Sequence, residues 1–284
     1  MAAGIQLFNL TGKRALVTGS SQGIGYALAK GLYEAGAEII LNGRNKEKLD
    51  KSANTLKADK RLFQLPFDVT NHDATKEAID NFEDQFGAID ILINNAGMQH
   101  RTPLEDFPPE MFEQLLKTNV SSVFNVSQVT AKHMIKRGSG KIINIASVQT
   151  LLARPGIAPY TATKGAVGNL TKGMATDWAK YGLQCNAIAP GYFDTPLNAA
   201  LVSDKEFTSW LEKRTPAGRW GEVEELIGAS IFLSSSGSNF VNGHTLYVDG
   251  GITASLWSYP AFEPLLWIFE DKFSFLYIEI IDNN

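Results

Sequence analysis

Short runs of apolar, largely β-branched residues punctuate the chain at intervals too long for hairpins. "RALVTG", "AEIILNG", "RLFQLPFDV", "IDILINNAG", "GKIINIAS", "LQCNAIAP" and "HTLYVDGG" each have the length and composition of a buried strand. Between them the apolar period changes. Residues 23–35 set Ile24, Ala27, Leu28, Gly31, Leu32 and Ala35 at helical spacing, one face of which can lie on a sheet. Seven strands alternating with helices predict an α/β fold with a doubly wound, parallel, seven-stranded sheet. No repeat or low-complexity linker breaks the alternation, so it predicts a single domain.

Two segments depart from this pattern. Residues 192–222, "YFDTPLNAALVSDKEFTSWLEKRTPAGRWGE", place a polar, helix-forming stretch between two strands, which predicts a mobile lid over a substrate. Residues 257–284 form a tail much richer in aromatics than the 1–256 domain before it. Glu263, Glu270, Asp271 and Lys272 interrupt its apolar runs, which argues against a membrane-spanning helix. It reads either as an extension docked at a subunit interface or as an appended segment, and under both readings the chemistry is expected to survive without it.

Composition narrows the partners. With 284 residues, 44% hydrophobic and 20% charged, the chain has the make-up of a soluble globular protein. A formal net charge of −4 gives no reason to expect nucleic acid or an anionic membrane surface, which leaves small molecules. The N-terminal residues show no basic leader with a long apolar core, so the expected location is cytoplasmic. A single cysteine, Cys185, excludes an internal disulfide and reads as a small apolar strand residue. No metal site is assigned.

Three stretches carry chemistry. In "APYTATKGAV" Tyr160 and Lys164 lie four residues apart, stacked on one helix face. An ammonium there would stabilise a phenolate and lower the tyrosine pKa from about 10 toward neutrality, giving a usable base. An isolated pair of this kind more often packs a helix start while the lysine reaches solvent. The first strand runs into "VTGSSQGIG", where Gly19, Gly23 and Gly25 let backbone approach a pyrophosphate at a helix N-terminus. At the end of the second strand, "LNGRN" puts Asn42 where an NAD site would place an acid, followed by Arg44, which suits a 2'-phosphate and favours NADP over NAD.

Taken in order, "TGSSQGIG", "NNAG" at 94–97, Ser147 and "YTATK" at 160–164 resemble the short-chain dehydrogenase/reductase family, and the resemblance covers residues 7 to about 256. It implies a Rossmann-type sheet, reversible hydride transfer between a nicotinamide and an alcohol or ketone, NADP with NAD possible, and a homotetramer. The implied catalytic set is Ser147, Tyr160, Lys164 and Asn119. Tyr160 exchanges a proton with the substrate oxygen and Ser147 hydrogen-bonds that oxygen. Lys164 lowers the tyrosine pKa and holds the nicotinamide ribose, and Asn119 holds a water linking Lys164 to solvent. The implied cofactor contacts are Gly19, Ser21, Gln22, Gly23, Ile24 and Gly25 at the phosphates, and Arg44 and Asn45 at the 2'-phosphate. Asp68 and Val69 fall at the adenine, Asn95, Ala96 and Gly97 along the cleft, and Pro190, Gly191, Tyr192 and Thr195 at the nicotinamide. Asn95 and Asn119 could instead serve to satisfy buried backbone groups.

Longer stretches, among them "NNAGMQHRTPLEDFP" and "FTSWLEKRTPAGRWG", resemble a branch of that family acting on polyol carboxylates and their keto acids. Such a substrate needs a cation, and Arg101 and Arg154 flank the expected reaction centre beside Ser147 and Tyr160. Lys213 and Arg214 on the lid are further candidates. Two other readings stay open: a reductase of carrier-bound 3-oxoacyl thioesters or another polyol dehydrogenase, and a cofactor-binding protein without catalysis. Against the last stands the presence of Ser147, Tyr160 and Lys164 together.

Overall fold

The computed structural model describes residues 4–56 and 60–256. The aromatic tail, 257–284, lies outside the described residues, as do residues 1–3 and 57–59. All seven expected strands form: β1 Arg14–Val17, β2 Glu38–Gly43, β3 Leu62–Pro66, β4 Ile91–Asn94, β5 Gly140–Ile145, β6 Leu183–Pro190 and β7 Thr245–Val248. The main helices are α1 Gly23–Glu34, α2 Lys46–Leu56, α3 His72–Phe86, α4 Pro109–Leu116, α5 Ser122–Arg137, α6 Ala158–Trp178, α7 Ala199–Val202, α8 Lys205–Arg214 and α9 Ile227–Ser234.

The strands pair in parallel in the order β3-β2-β1-β4-β5-β6-β7. Alternation along each strand divides the core. Leu16, Ile40, Leu92 and Ile142 face one layer, with Ile79 and Phe82 of α3, Val126 of α5 and Met174 of α6. Ala15, Val17, Ile39, Leu41, Ile93 and Ile143 face the other, with Leu28 and Leu32 of α1 and Leu233 of α9. Both faces are therefore covered, which is why the strands read as nearly continuous apolar runs.

The chain winds outward from β1 to β3 and then returns to place β4 on the other side of β1. Loops leaving the carboxyl ends of β1 and β4 must diverge there, and ligands of open α/β sheets bind in the crevice this creates. Val17 lies opposite Ile93 in the register, and the Thr18 amide continues the pairing by donating to the Ile93 carbonyl at 3.0 Å.

The interrupted segment 192–222 holds a turn at Pro196–Asn198 followed by α7 and α8. Its helical content agrees with the expectation. Leu211 of α8 is fully buried against Val148 and Ile252, and Tyr192, Phe207, Trp210 and Trp220 pack ring to ring with centroids 5.2 to 6.3 Å apart. The outer helix is thus seated on a small core of its own. No helix among the described residues is long and apolar enough to cross a membrane.

Candidate active site

A cleft of about 600 Å³ opens at the carboxyl edge of the sheet. Every residue assigned from the sequence to catalysis or the cofactor lines it except Asn119, as do Arg101 and Arg154 of the substrate candidates. Lys213 and Arg214 do not line it either. Lys213 is exposed, whereas Arg214 is half-buried and close enough to Tyr192 to favour its ionised form.

At the phosphate end the fit to a dinucleotide rests on what the chain leaves open. Gln22 precedes α1 without a side-chain cap, so the first-turn N–H groups face the cleft with the positive end of the helix. By contrast Asn71 caps α3 and Asp204 caps α8. Gly19 and Gly23 hold φ of +63° and +57°, where a side chain would be strained. At Gly25 a Cβ would run into the Asn95 amide and come within 2.6 Å of the Gly19 carbonyl. Asn95 donates to the Thr18 and Gly19 carbonyls at 2.9 and 3.1 Å, so its side chain braces the glycine loop.

At the adenosine end Asn42 has a structural task as well. The side chain of Asn42 is buried on the same strand face as Ile40, donates to the Leu65 and Phe67 carbonyls at 3.0 and 3.2 Å, and accepts from the Gly19 amide at 3.4 Å. Its amide ties β2 to β3 and to the glycine loop, and Asn42 lines the cleft beside Gly43 and Arg44. Arg44 is 76% exposed, 3.8 Å from Asp68. Burial opposes ionisation of Asp68, but hydrogen bonds from the Thr70 amide and hydroxyl, with Arg44 and Lys117 nearby, hold it below the usual carboxylate range. A neutral strand end beside a solvent-facing guanidinium fits a 2'-phosphate.

The residues assigned from the sequence to catalysis come from three elements. Ser147 follows β5, its oxygen accepting from the Gln149 amide at 3.2 Å and meeting the Tyr160 phenol. Tyr160 and Lys164 share a face of α6, with the ammonium 5.7 Å from the ring centroid. Here the expectation of a lowered tyrosine pKa is not met. Burial pushes Tyr160 up to about 12, against the contact with Ser147 and the charge of Arg101, which act to lower it. Lys164 instead donates to the Ile145 carbonyl at 2.6 Å, and burial lowers its own pKa to about 8. With the ammonium turned to a backbone carbonyl, desolvation outweighs what Ser147 and Arg101 do for the phenolate.

Asn119 sits on a π-helical turn, Lys117–Ser121, between α4 and α5. Its side chain accepts from the Met98 amide at 2.8 Å and donates to the Met98 carbonyl at 2.9 Å and to Thr163 at 3.2 Å. What it does directly is brace the loop after β4 against α6. Behind it Asn94 donates to Asn144 and Ser127, both at 2.8 Å, a buried polar link the sequence reading did not single out.

The substrate end is cationic. Arg101 and Arg154, 53 positions apart, come close enough for each charge to affect the site: Arg101 is lowered in pKa by burial and then by Arg154, while Tyr160 and Tyr192 favour its charged form. Arg154 bonds the Tyr192 hydroxyl and lies 5.3 Å over the Phe207 ring. The Nε atoms of both arginines are buried without a hydrogen-bond partner. Two unpartnered donors on adjacent guanidiniums, beside a phenol and a serine, are an arrangement that could take an anion next to a group able to carry a proton. Gln149 and Asn198 also line this end and were not anticipated.

The chain is similar to known proteins over most of its length. A family model described as enoyl-(acyl carrier protein) reductase matches residues 19–253. The chain is 61% identical over 251 residues to gluconate 5-dehydrogenase of Gluconobacter oxydans (strain 621H), covering 88% of this chain and 98% of that one. It is 47% identical over 251 residues to 5-keto-D-gluconate 5-reductase of Escherichia coli K12, covering 88% and 99%. The crystal structure of a gluconate 5-dehydrogenase from Burkholderia cenocepacia J2315, in complex with NADP and tartrate, superposes with a TM-score of 0.87 at 57% identity, covering 89% and 99%.

Proposed function

The chain belongs to the short-chain dehydrogenase/reductase family, and we propose that it is an NADP-dependent enzyme interconverting D-gluconate and 5-keto-D-gluconate. The observation that carries the substrate is the convergence of Arg101 and Arg154, each with a buried, unpartnered Nε, beside Tyr160. A C1 carboxylate held there would put the far end of a six-carbon chain against the phenol. The acyl end of a carrier-bound 3-oxoacyl thioester has no carboxylate near its reacting carbonyl to match those two cations.

Bound NADP supplies the acceptor or donor of the hydride. The residues of this chain handle the rest. Ser147 donates to the C5 oxygen and fixes it against Tyr160, whose hydroxyl delivers a proton as the carbonyl becomes an alcohol and takes it back in the oxidation. Lys164 supports the nicotinamide ribose and, when drawn from the Ile145 carbonyl toward the phenol, lowers the cost of a phenolate. Gly19 to Gly25 cradle the pyrophosphate with Ser21, Gln22 and Ile24. Arg44 with Asn45 meets the 2'-phosphate, Asp68 and Val69 the adenine, and Asn95 to Gly97 the middle of the cofactor. Pro190, Gly191, Tyr192 and Thr195 enclose the nicotinamide.

The same reading includes residues 192–222 as a lid, a catalytic domain complete by residue 256, a homotetramer, and a cytoplasmic site of action. A panel of 5-keto-D-gluconate, neutral ketoses and acetoacetyl thioesters, each with NADPH and NADH, tests it. Fastest turnover of 5-keto-D-gluconate with NADPH is expected; preferred reduction of the thioester would overturn the assignment.

A further inference from the structure

The anion receptor is held together by the lid. Arg101 Nη2 donates to Gln99 Oε1 at 2.9 Å, to Asn198 Oδ1 at 3.1 Å and to the Leu197 carbonyl at 3.5 Å. Two of these three acceptors belong to the turn that opens the lid. Asn198 is fixed from its other end, because its Nδ2 donates to the Phe193 carbonyl at 3.0 Å. Phe193 is a firm anchor. It is buried, its backbone bridges Gly221, and a Cβ on Gly221 would strike its ring at 2.6 Å. The bond to Phe193 also decides which way the amide faces, since a reversed amide would set NH₂ against the guanidinium.

Arg101 needs such a support. The nearby charge of Arg154 opposes it, and a long side chain loses rotamer freedom when it is held in one place. A neutral acceptor can hold the guanidinium and still leave its charge for an incoming carboxylate; an aspartate at 198 would neutralise it. Resting on the reading of Arg101 as a carboxylate contact, we infer that Asn198 is a positioning residue for substrate specificity. It aims Arg101 into the cleft, so that the lid turn and recognition of the substrate anion form one unit.

The test is a double-substitution cycle on the full chain, with Asn198→Ala, Arg101→Ala and the pair, assayed on 5-keto-D-gluconate and on a neutral ketose, with NADPH affinity followed by fluorescence. Asn198→Ala is expected to raise KM for 5-keto-D-gluconate about tenfold, with a smaller change in kcat and in the neutral ketose. The pair should be no worse than Arg101→Ala alone, because the support has nothing left to hold. Asn198→Asp should raise KM further than Asn198→Ala. Additive losses, or equal losses on charged and neutral substrates with NADPH binding intact, would overturn the inference while leaving the substrate assignment standing. If Arg101→Ala itself fails to discriminate charged from neutral substrate, the carboxylate reading of Arg101 fails and this inference with it.

Discussion

Lys164 stands one helical turn beyond Tyr160, its ammonium 5.7 Å from the phenol ring centre but hydrogen-bonded to the Ile145 carbonyl. The pair therefore shares one helix face while the hydrogen bond of the ammonium goes to backbone. If Tyr160 carries the proton, Tyr160→Phe keeps the packing of the ring and removes only the hydroxyl. Turnover should fall by about 10²- to 10⁴-fold, the usual contribution of a positioned acid or base. NADPH affinity, measured by fluorescence titration, should stay within a few-fold of the parent. Residual activity within tenfold of the parent would remove Tyr160 from the mechanism.

Lys164 should also be a cost to the fold. Its pKa drops from 10.5 to about 8 because burial strips its water, so the unfolded chain binds the proton more tightly than the folded one. The penalty is present in full below pH 8, fades between about 8 and 10.5, and is gone above, where both states are neutral. A shift of that size corresponds to about 3 kcal/mol, partly offset by the hydrogen bond to Ile145, worth about 1 to 2 kcal/mol. Lys164→Met should thus melt a few degrees higher than the parent at pH 7, with the gain shrinking toward pH 10, while losing activity. A lower Tm at pH 7 would show that the Ile145 contact outweighs desolvation.

Arg44 is a different case, since it is mostly exposed and its ion pair with Asp68 is long at 3.8 Å. Its value lies in the ligand. Arg44→Asp removes a phosphate partner and sets a second carboxylate near Asp68, so kcat/KM with NADP should fall by about tenfold or more while that with NAD holds or rises. Stability should change little. Unaltered use of NADP would mean that Arg44 is a solvated bystander.

How much of this was legible in the sequence follows from what leaves a local trace. The seven strands were readable because both sheet faces are covered, which writes each strand as an apolar run between turn residues. The glycine loop and the Tyr160–Lys164 pair were readable because their spacing is their geometry. The bracing role of Asn42 was not legible, because it depends on strand parity: the alternation that buries Ile40 buries Asn42 as well, and its amide meets the neighbouring backbone. The π-helical turn at Asn119 carries no proline or glycine to announce it. Asn198 and Gln149 gave no signal, because a lone amide acquires meaning only from the guanidinium or hydroxyl the fold brings to it.

For the two arginines the discriminating quantity is the charge of the substrate. Arg101→Ala and Arg154→Ala should each raise KM for 5-keto-D-gluconate by about ten- to a hundredfold, as expected for a charge-assisted hydrogen bond of about 1.5 to 3 kcal/mol. Neutral ketoses should lose much less. Arg154 also lies over Phe207 and bonds Tyr192, so its loss should additionally loosen the segment 192–222, seen as faster proteolysis within it. Equal losses on charged and neutral substrates would assign both residues to packing.

Two glycines of α1 separate scaffold from site within one helix. Gly31 faces α9, and a Cβ there would collide with Ile227, reaching its Cγ1 at 2.8 Å. Neither partner touches the cleft, so Gly31→Ala should destabilise the fold by about 1 to 3 kcal/mol through overpacking while leaving NADPH affinity unchanged in the molecules that remain folded. Gly25 lies one and a half turns earlier, where a Cβ would displace the Asn95 amide and press within 2.6 Å of the Gly19 carbonyl. Asn95 then releases the carbonyls of Thr18 and Gly19, and the loop that should receive the pyrophosphate loses its brace. Gly25→Ala is accordingly expected to weaken NADPH binding well beyond what its change in melting temperature explains. Thermal melts paired with fluorescence titration of both variants check this. If the two substitutions shift Tm and affinity in the same proportion, the glycine loop contributes to this site only through general stability, and the cradle read at the start of α1 is not a cofactor site.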